Sequence, residues 1–237
     1  MLRKKINTIA IIIARGGSKR IFKKNIKLFL GEPIIKYSID TALKCDIFDE
    51  VMVSTDDNEI AELSKKLGAK VPFLRSVKNS SDFSSTADAV YEVLKSYDET
   101  GVNPKHVCCI YPTAPLISHK TLIDAYDIII NQNAKSVIPV TKFSYPIQRA
   151  LMIKNNKLKM NWPENTYKRS QDLKDFYHDV GQFYFLKVQN FLKEKILFSD
   201  LTYHIELPPI FAQDIDNLED WSIAELKYTF LKKNNML

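Results

Sequence analysis

The chain has 237 residues, 45% of them hydrophobic and 26% charged, and a formal net charge of +6. Those figures predict an ordinary globular protein of one main domain with a sizeable core, not a fibrous or low-complexity chain. The basic residues are spread over the whole sequence with no dense run or basic-aromatic stripe, which argues against a nucleic-acid partner, and the three cysteines form neither a disulfide framework nor a metal spacing.

In chain order, Met1-Leu2-Arg3-Lys4-Lys5 and the apolar residues that follow imitate a secretory signal. Asn7 and Thr8 interrupt the apolar stretch, however, and Arg15 ends it where a small-residue cleavage site should stand. The stretch is also far short of the roughly 20 residues that span a bilayer. Residues 6–14 are therefore read as a buried parallel strand, and the protein as cytoplasmic with no membrane partner.

A polar, glycine-containing loop follows. Pro33 then opens a helix to Lys44, with Ile34, Ile35, Ile39 and Leu43 at helical spacing. Residues 50–55 read as a strand, 58–67 as a helix closed by Gly68, and 71–74 as another strand. Ser84-Ser85-Thr86 supplies a helix start, and residues 87–97 carry Ala89, Val90, Val93 and Leu94 on one face. Residues 105–111 form a further strand, followed by Pro112-Thr113-Ala114-Pro115, a helix over 119–131 and a strand over 136–140. This alternation predicts an α/β fold, a mostly parallel sheet with helices on both faces.

The regularity breaks near Thr141. Residues 141–179, rich in Asn, Lys, Pro and aromatics, are read as an excursion inserted in a single domain spanning 1–237 and as a dimerisation element. A strand returns over 180–186, residues 205–216 read as extended, and 220–231 as a closing helix.

The loop Ala14-Arg15-Gly16-Gly17-Ser18-Lys19-Arg20, continuing to Asn25, stands directly after the first strand, where open α/β sheets bind their ligands. Its glycines permit close approach of N–H groups to an anion, and Arg15, Lys19, Arg20, Lys23 and Lys24 offer charge to a polyphosphate. The spacing matches neither a Walker A loop nor a dinucleotide fingerprint, so alone it describes an anion site or a solvated basic turn. Asp214 and Asp216, two apart in an extended segment, would project to one face and could share a Mg²⁺ ion; the plainer alternative is an exposed turn capping the next helix.

The string Ile11-Ile12-Ile13-Ala14-Arg15-Gly16-Gly17-Ser18-Lys19-Arg20, with Lys24-Asn25 and Gly31-Glu32-Pro33-Ile34-Ile35, resembles the opening of the acylneuraminate cytidylyltransferases. Further matches follow in order: Val53-Ser54-Thr55-Asp56, Phe73-Leu74-Arg75, Pro112-Thr113-Ala114-Pro115, Arg169-Ser170-Gln171-Asp172-Leu173, and Asp214-Ile215-Asp216 before Glu219-Asp220-Trp221. They cover essentially the whole chain. Lys19-Arg20-Ile21, Tyr111-Pro112-Thr113 and Tyr177-His178-Asp179-Val180-Gly181-Gln182-Phe183-Tyr184 most resemble the bacterial branch that activates pseudaminic acid. Phe22 departs from the family's usual Pro, and Val180 from a smaller residue.

The resemblance implies a Rossmann-like nucleotidyltransferase that joins CMP from CTP to the anomeric hydroxyl of a nonulosonic acid and releases pyrophosphate. By it, Arg15 and Lys24 hold the CTP phosphates and act in catalysis with Asp214, while Gly16, Gly17, Ser18, Asn25, Arg75 and Thr86 complete the nucleotide site. Asp214 and Asp216 carry Mg²⁺ or Mn²⁺. Thr113, Arg169 and Gln171 face the sugar acid, and Arg169, suited to a carboxylate by its two-pronged geometry, reaches it across a homodimer, the plainer reading of Arg169 and Gln171 being a solvated loop. Tyr111, Gln182 and Tyr184 either read the sugar's polar groups or pack as strand residues. His178 beside Asp179 is read as structural or surface. The rival acids are sialic, legionaminic and the eight-carbon Kdo; the rival class is a catalytically silent nucleotide-binding protein. A sugar transferase using Asp-x-Asp is disfavoured by the order of basic loop and acidic pair. A bacterial surface glycan such as glycosylated flagellin is the destination the family implies.

Overall fold

The computed structural model describes residues 6–237, so the basic pentapeptide that imitates a signal lies outside the described residues. The first strand, β1 (Thr8–Ile13), is apolar on both sides because it fills two cores: Ile9 and Ile11 enter one, Ala10 and Ile12 the other. A short hairpin of β2 (Leu28–Phe29) and β3 (Glu32–Pro33) leads into α1 (Ile34–Lys44). Next come β4 (Glu50–Ser54), α2 (Asn58–Lys66), α3 (Thr86–Glu99), β5 (His106–Ile110), α4 (His119–Asn131) and β6 (Ser136–Lys142). The excursion holds a hairpin of β7 (Leu151–Lys154) and β8 (Lys157–Met160), turned by Asn155 and Asn156 at φ of 53° and 57°, as a two-residue left-handed turn requires. The chain closes with β9 (Tyr177–Asp179), β10 (Phe183–Lys187), α5 (Val188–Glu194), β11 (Thr202–Glu206) and α6 (Leu218–Lys233).

The sheet order is β11-β6-β10-β5-β1-β4. β4 and β5 flank β1 in parallel and β11 runs parallel to β6, so β10, antiparallel to both its neighbours, and β9, antiparallel to β6, are the reversed strands of a mostly parallel sheet. β9 adds to β6 beyond β10. Five residues separate Asp179 from Phe185, where two separate their partners Val140 and Val137, so the chain bulges between β9 and β10. One face is covered by α1, α2 and α4, through Ile35, Ile39, Ile60, Leu122 and Ile129, and the other by α3 and α5, through Val90, Val93, Leu94 and Phe191.

A third cluster positions the site. Trp221 and Ala224 of α6 pack with Phe29, Ile34, Ile21 of the basic loop and Ile215 of the acidic segment. The Phe29 and Trp221 rings meet edge-on at 5.6 Å. Burying Ile21 and Ile215 contributes about 1.5–3 kcal/mol each and fixes the two loops against one helix.

Three expected strands differ. Residues 71–74 are irregular: only Lys70 bridges Met52, and Pro72 has no N–H for a ladder. The extended segment 205–216 holds a strand only to Glu206, because Pro208 and Pro209 cannot donate and instead open a 3₁₀ turn to Phe211. The strand placed at 180–186 begins at Phe183, after Gly181 turns the chain at φ 67°.

Candidate functional site

A cleft of about 400 Å³ opens beyond the ends of β1 and β5. Five cationic side chains line it, Arg15, Lys19, Arg20, Lys24 and Arg75, against three carboxylates, Asp82, Asp214 and Asp216, leaving a positive balance. Such a cleft favours a polyanion.

The basic loop is shaped from within. Asn25, buried, donates from Nδ2 to the Arg15 carbonyl at 2.8 Å, folding the loop's two ends together. Lys24 Nζ donates to the carbonyl oxygen of Ile215 at 2.7 Å. Burial lowers the pKa of Lys24, and Asp216 and Asp214 oppose that shift. Asp214 moves the other way: burial raises its pKa, Asp216 adds to the rise, and Lys24 opposes it. Arg20 Nη1 stands 2.5 Å from Asp216 Oδ2.

Asp214 and Asp216 lie in an irregular segment before α6, not on a strand, so strand alternation is not what aims them. Ile215 is buried between them and both carboxylates line the cleft. Among the described residues no group of three or more His, Cys, Asp or Glu gathers. The pair nevertheless fits Mg²⁺ or Mn²⁺ chemically, as hard oxygen donors that leave positions for phosphate oxygens and water.

Arg75 is buried and held rigid, donating from Nε to Ser54 Oγ at 3.0 Å and from Nη2 to the Ser54 carbonyl at 2.5 Å. Burial pulls its pKa down and Asp56 opposes this. Thr86, in the first turn of α3, shares a hydrogen bond of 2.8 Å with the Tyr111 hydroxyl. Ser18, Thr113 and Tyr111 also line the cleft.

Other expected site residues stand elsewhere. Gly16 and Gly17 do not line the cleft, and the Gly16 N–H is taken by Asp56 Oδ1 at 2.9 Å. A Cβ on Gly16 would come within 2.8 Å of Asp57 Oδ2, so this glycine serves close packing of two loops. Gln182 is buried in the bulge after β9, donating from Nε2 to the Phe211 carbonyl at 2.6 Å, with its Oε1 unpartnered. Tyr184 donates to Asp179 Oδ2 at 2.5 Å behind Tyr111. Arg169 makes a two-pronged pair with Asp172, at 2.7 and 3.0 Å, and Gln171 lines a separate cleft in the excursion. His178 binds the Asp179 carbonyl through Nδ1 at 3.0 Å and packs on Phe143.

Asp82 was not anticipated. Its carboxylate receives Arg15 Nη1 at 2.8 Å and the Lys19 ammonium on its other oxygen. The available signal was one acidic residue in the polar run Asn79-Ser80-Ser81-Asp82, which reads equally well as a helix lead-in.

A family model described as cytidylyltransferase matches residues 9–234. The chain is 42% identical over 224 residues to the pseudaminic acid cytidylyltransferase of Campylobacter jejuni subsp. jejuni serotype O:23/36 (strain 81-176), covering 94% of this chain and 97% of that one. It is 33% identical over 227 residues to N-acylneuraminate cytidylyltransferase A of Danio rerio, covering 94% of this chain and 51% of that one. Among solved structures, CMP:2-keto-3-deoxy-manno-octonic acid synthetase complexed with CTP superposes with a TM-score of 0.67 at 15% identity, over 96% of this chain and 99% of that one, which shows a common fold.

Proposed function

The chain belongs to the cytidylyltransferase family, and from that premise we propose that it transfers CMP from CTP to the anomeric hydroxyl of a nonulosonic acid, pseudaminic acid, releasing pyrophosphate. The observation that carries the reading is the Lys24–Ile215 bond, which sets the basic loop against the acidic pair in one cleft.

In the reaction the anomeric oxygen bonds to the α-phosphorus, the bond from that phosphorus to the pyrophosphate oxygen breaks, and the hydroxyl proton passes to solvent. Little covalent chemistry falls to the protein, whose task is to position reactants and to meet charge. Arg15 and Lys24 meet the charge moving onto pyrophosphate, and Arg75 and Thr86 orient the nucleotide. Tyr111 and Thr113 border the sugar acid. Asp214 and Asp216 would hold a Mg²⁺ or Mn²⁺ ion, which supplies neutralisation of the triphosphate when bound.

The reading includes a homodimer. The β7–β8 hairpin presents Leu151, Ile153 and Leu158 to solvent, and Arg169 and Gln171, outside their own chain's cleft, would meet the sugar acid in the partner's. A cytoplasmic site of action fits the three free cysteines, all buried. Among the described residues no helix is long and apolar enough to cross a membrane. Delivery of the product to flagellin or another surface glycan is part of the same reading. Pyrophosphate release from CTP in the presence of each purified acid tests it: turnover is expected with pseudaminic acid above sialic, legionaminic and Kdo acids.

A further inference from the structure

Every cation lining the cleft already has a protein oxygen as partner. Lys24 is on the Ile215 carbonyl, Arg75 on Ser54, and Arg20 on Asp216. Arg15 and Lys19 share the two oxygens of Asp82. These last two pairings differ from the others because both cations fall on one side-chain carboxylate outside the basic loop and the acidic segment, whereas Arg75 is held by Ser54 at the end of β4. That carboxylate sits at the tip of the connection between α2 and α3.

The connection is anchored at its base and free at its tip. Glu92 of α3 accepts from the Ser76 N–H at 2.7 Å and from the Asn79 side chain. Ser84 Oγ donates to the Lys78 carbonyl at 2.9 Å, and Ser85 caps α3 in a reciprocal box with Asp88. Between these anchors Phe83 is 98% exposed and contributes no packing. The Asp82 carboxylate, half-exposed and facing the cleft, is thus held in place by Arg15 and Lys19. Lys19 and Arg15 also keep its carboxyl below the usual carboxylate range, so it is anionic at neutral pH.

We infer that Asp82 is an internal competitor that occupies the pyrophosphate-binding cations Arg15 and Lys19 in the free enzyme, and that a polyphosphate displaces it. The inference rests on the reading of the cleft as a CTP site. A single carboxylate on two exposed cations is a weak, screened competitor. A triphosphate or pyrophosphate, with several charges and many acceptor oxygens, replaces it readily. CMP, whose lone phosphate does not extend to the pyrophosphate cations, does not. Asp82 therefore weakens the hold on CTP and pyrophosphate while leaving CMP untouched, and by returning to Arg15 and Lys19 it helps expel pyrophosphate after transfer.

Calorimetric titration of CTP, pyrophosphate and CMP into the wild-type enzyme and the Asp82→Asn, Asp82→Ala and Asp82→Glu variants tests this, with thermal melts to establish that each variant is folded. Asp82→Asn and Asp82→Ala are expected to bind CTP and pyrophosphate about fivefold tighter, with CMP unchanged and Asp82→Glu close to wild type. Weaker or unchanged pyrophosphate binding by both neutral variants, or an equal gain for CMP, would overturn the inference. A wild-type enzyme that takes up pyrophosphate but not CTP would instead sink the nucleotide reading. The pyrophosphate comparison would still decide for or against Asp82 as the competitor.

Discussion

The ammonium of Lys24 stands 2.7 Å from the carbonyl oxygen of Ile215, 191 residues further along the chain and between the two acidic side chains of the cleft. One lysine thereby joins the basic loop, the part of the site proposed to hold phosphate, to the acidic pair proposed to hold a metal. Lys24→Met removes the charge and the tie together. It is expected to lower kcat/KM for CTP by about 10²–10³ in steady-state pyrophosphate release, the usual cost of losing one donor to developing charge.

Asp214 carries a pH signature. Its pKa is raised by burial and then by Asp216, so the folded value exceeds the unfolded one. Its ionised form therefore costs the native state stability above the folded pKa, and that cost vanishes below the unfolded pKa. Asp214→Asn is expected to raise Tm near neutral pH, with the difference from wild type closing in acid, while turnover falls about 10²-fold for want of the carboxylate. Thermal melts over pH 3–8 beside neutral-pH rates check both halves.

The two neighbouring glycines should part company. An alanine Cβ at Gly16 would lie 2.8 Å from Asp57 Oδ2 and 2.9 Å from Asp57 Cβ, pressing on the residue that caps α2 through the Glu59 and Ile60 N–H groups. Gly16→Ala is expected to destabilise by about 1–3 kcal/mol, a Tm lower by about 2–10 °C. At Gly17 a Cβ meets nothing within 4 Å, so Gly17→Ala should melt with wild type. Parallel scanning calorimetry of the two variants distinguishes these outcomes.

Tyr184 and Asp179 form a buried support behind Tyr111 and Thr86. Tyr184→Phe strips the donor from Asp179 Oδ2 and should cost about 1–3 kcal/mol in urea unfolding, because a partly buried acceptor loses its partner. KM for CTP should stay near wild type, since Tyr184 does not line the cleft.

What the sequence reveals of this protein follows the kind of signal each element carries. β1, β5 and α1 are legible because continuous apolar runs and helical spacing report burial directly, and the structure buries Ile11, Cys109 and Ile39 completely. β11 is hidden because it is an edge strand of mixed polarity, Thr202-Tyr203-His204-Ile205-Glu206, while the apolar and proline-containing residues after it attract the assignment. The bulge that buries Gln182 has no local pattern, since it arises from how β9 and β10 share one partner strand. Asp82 is invisible for a related reason: its meaning comes from Arg15 and Lys19, more than 60 residues earlier.

The central claim, CMP transfer from CTP to pseudaminic acid, is tested most directly by ³¹P NMR of CTP incubated with the enzyme, Mg²⁺ and one purified nonulosonic acid at a time. Pseudaminic acid should yield a CMP phosphodiester resonance together with stoichiometric pyrophosphate, well ahead of sialic, legionaminic and Kdo acids. A CMP diester formed preferentially with one of those other acids, or CTP left intact with all of them, would contradict it.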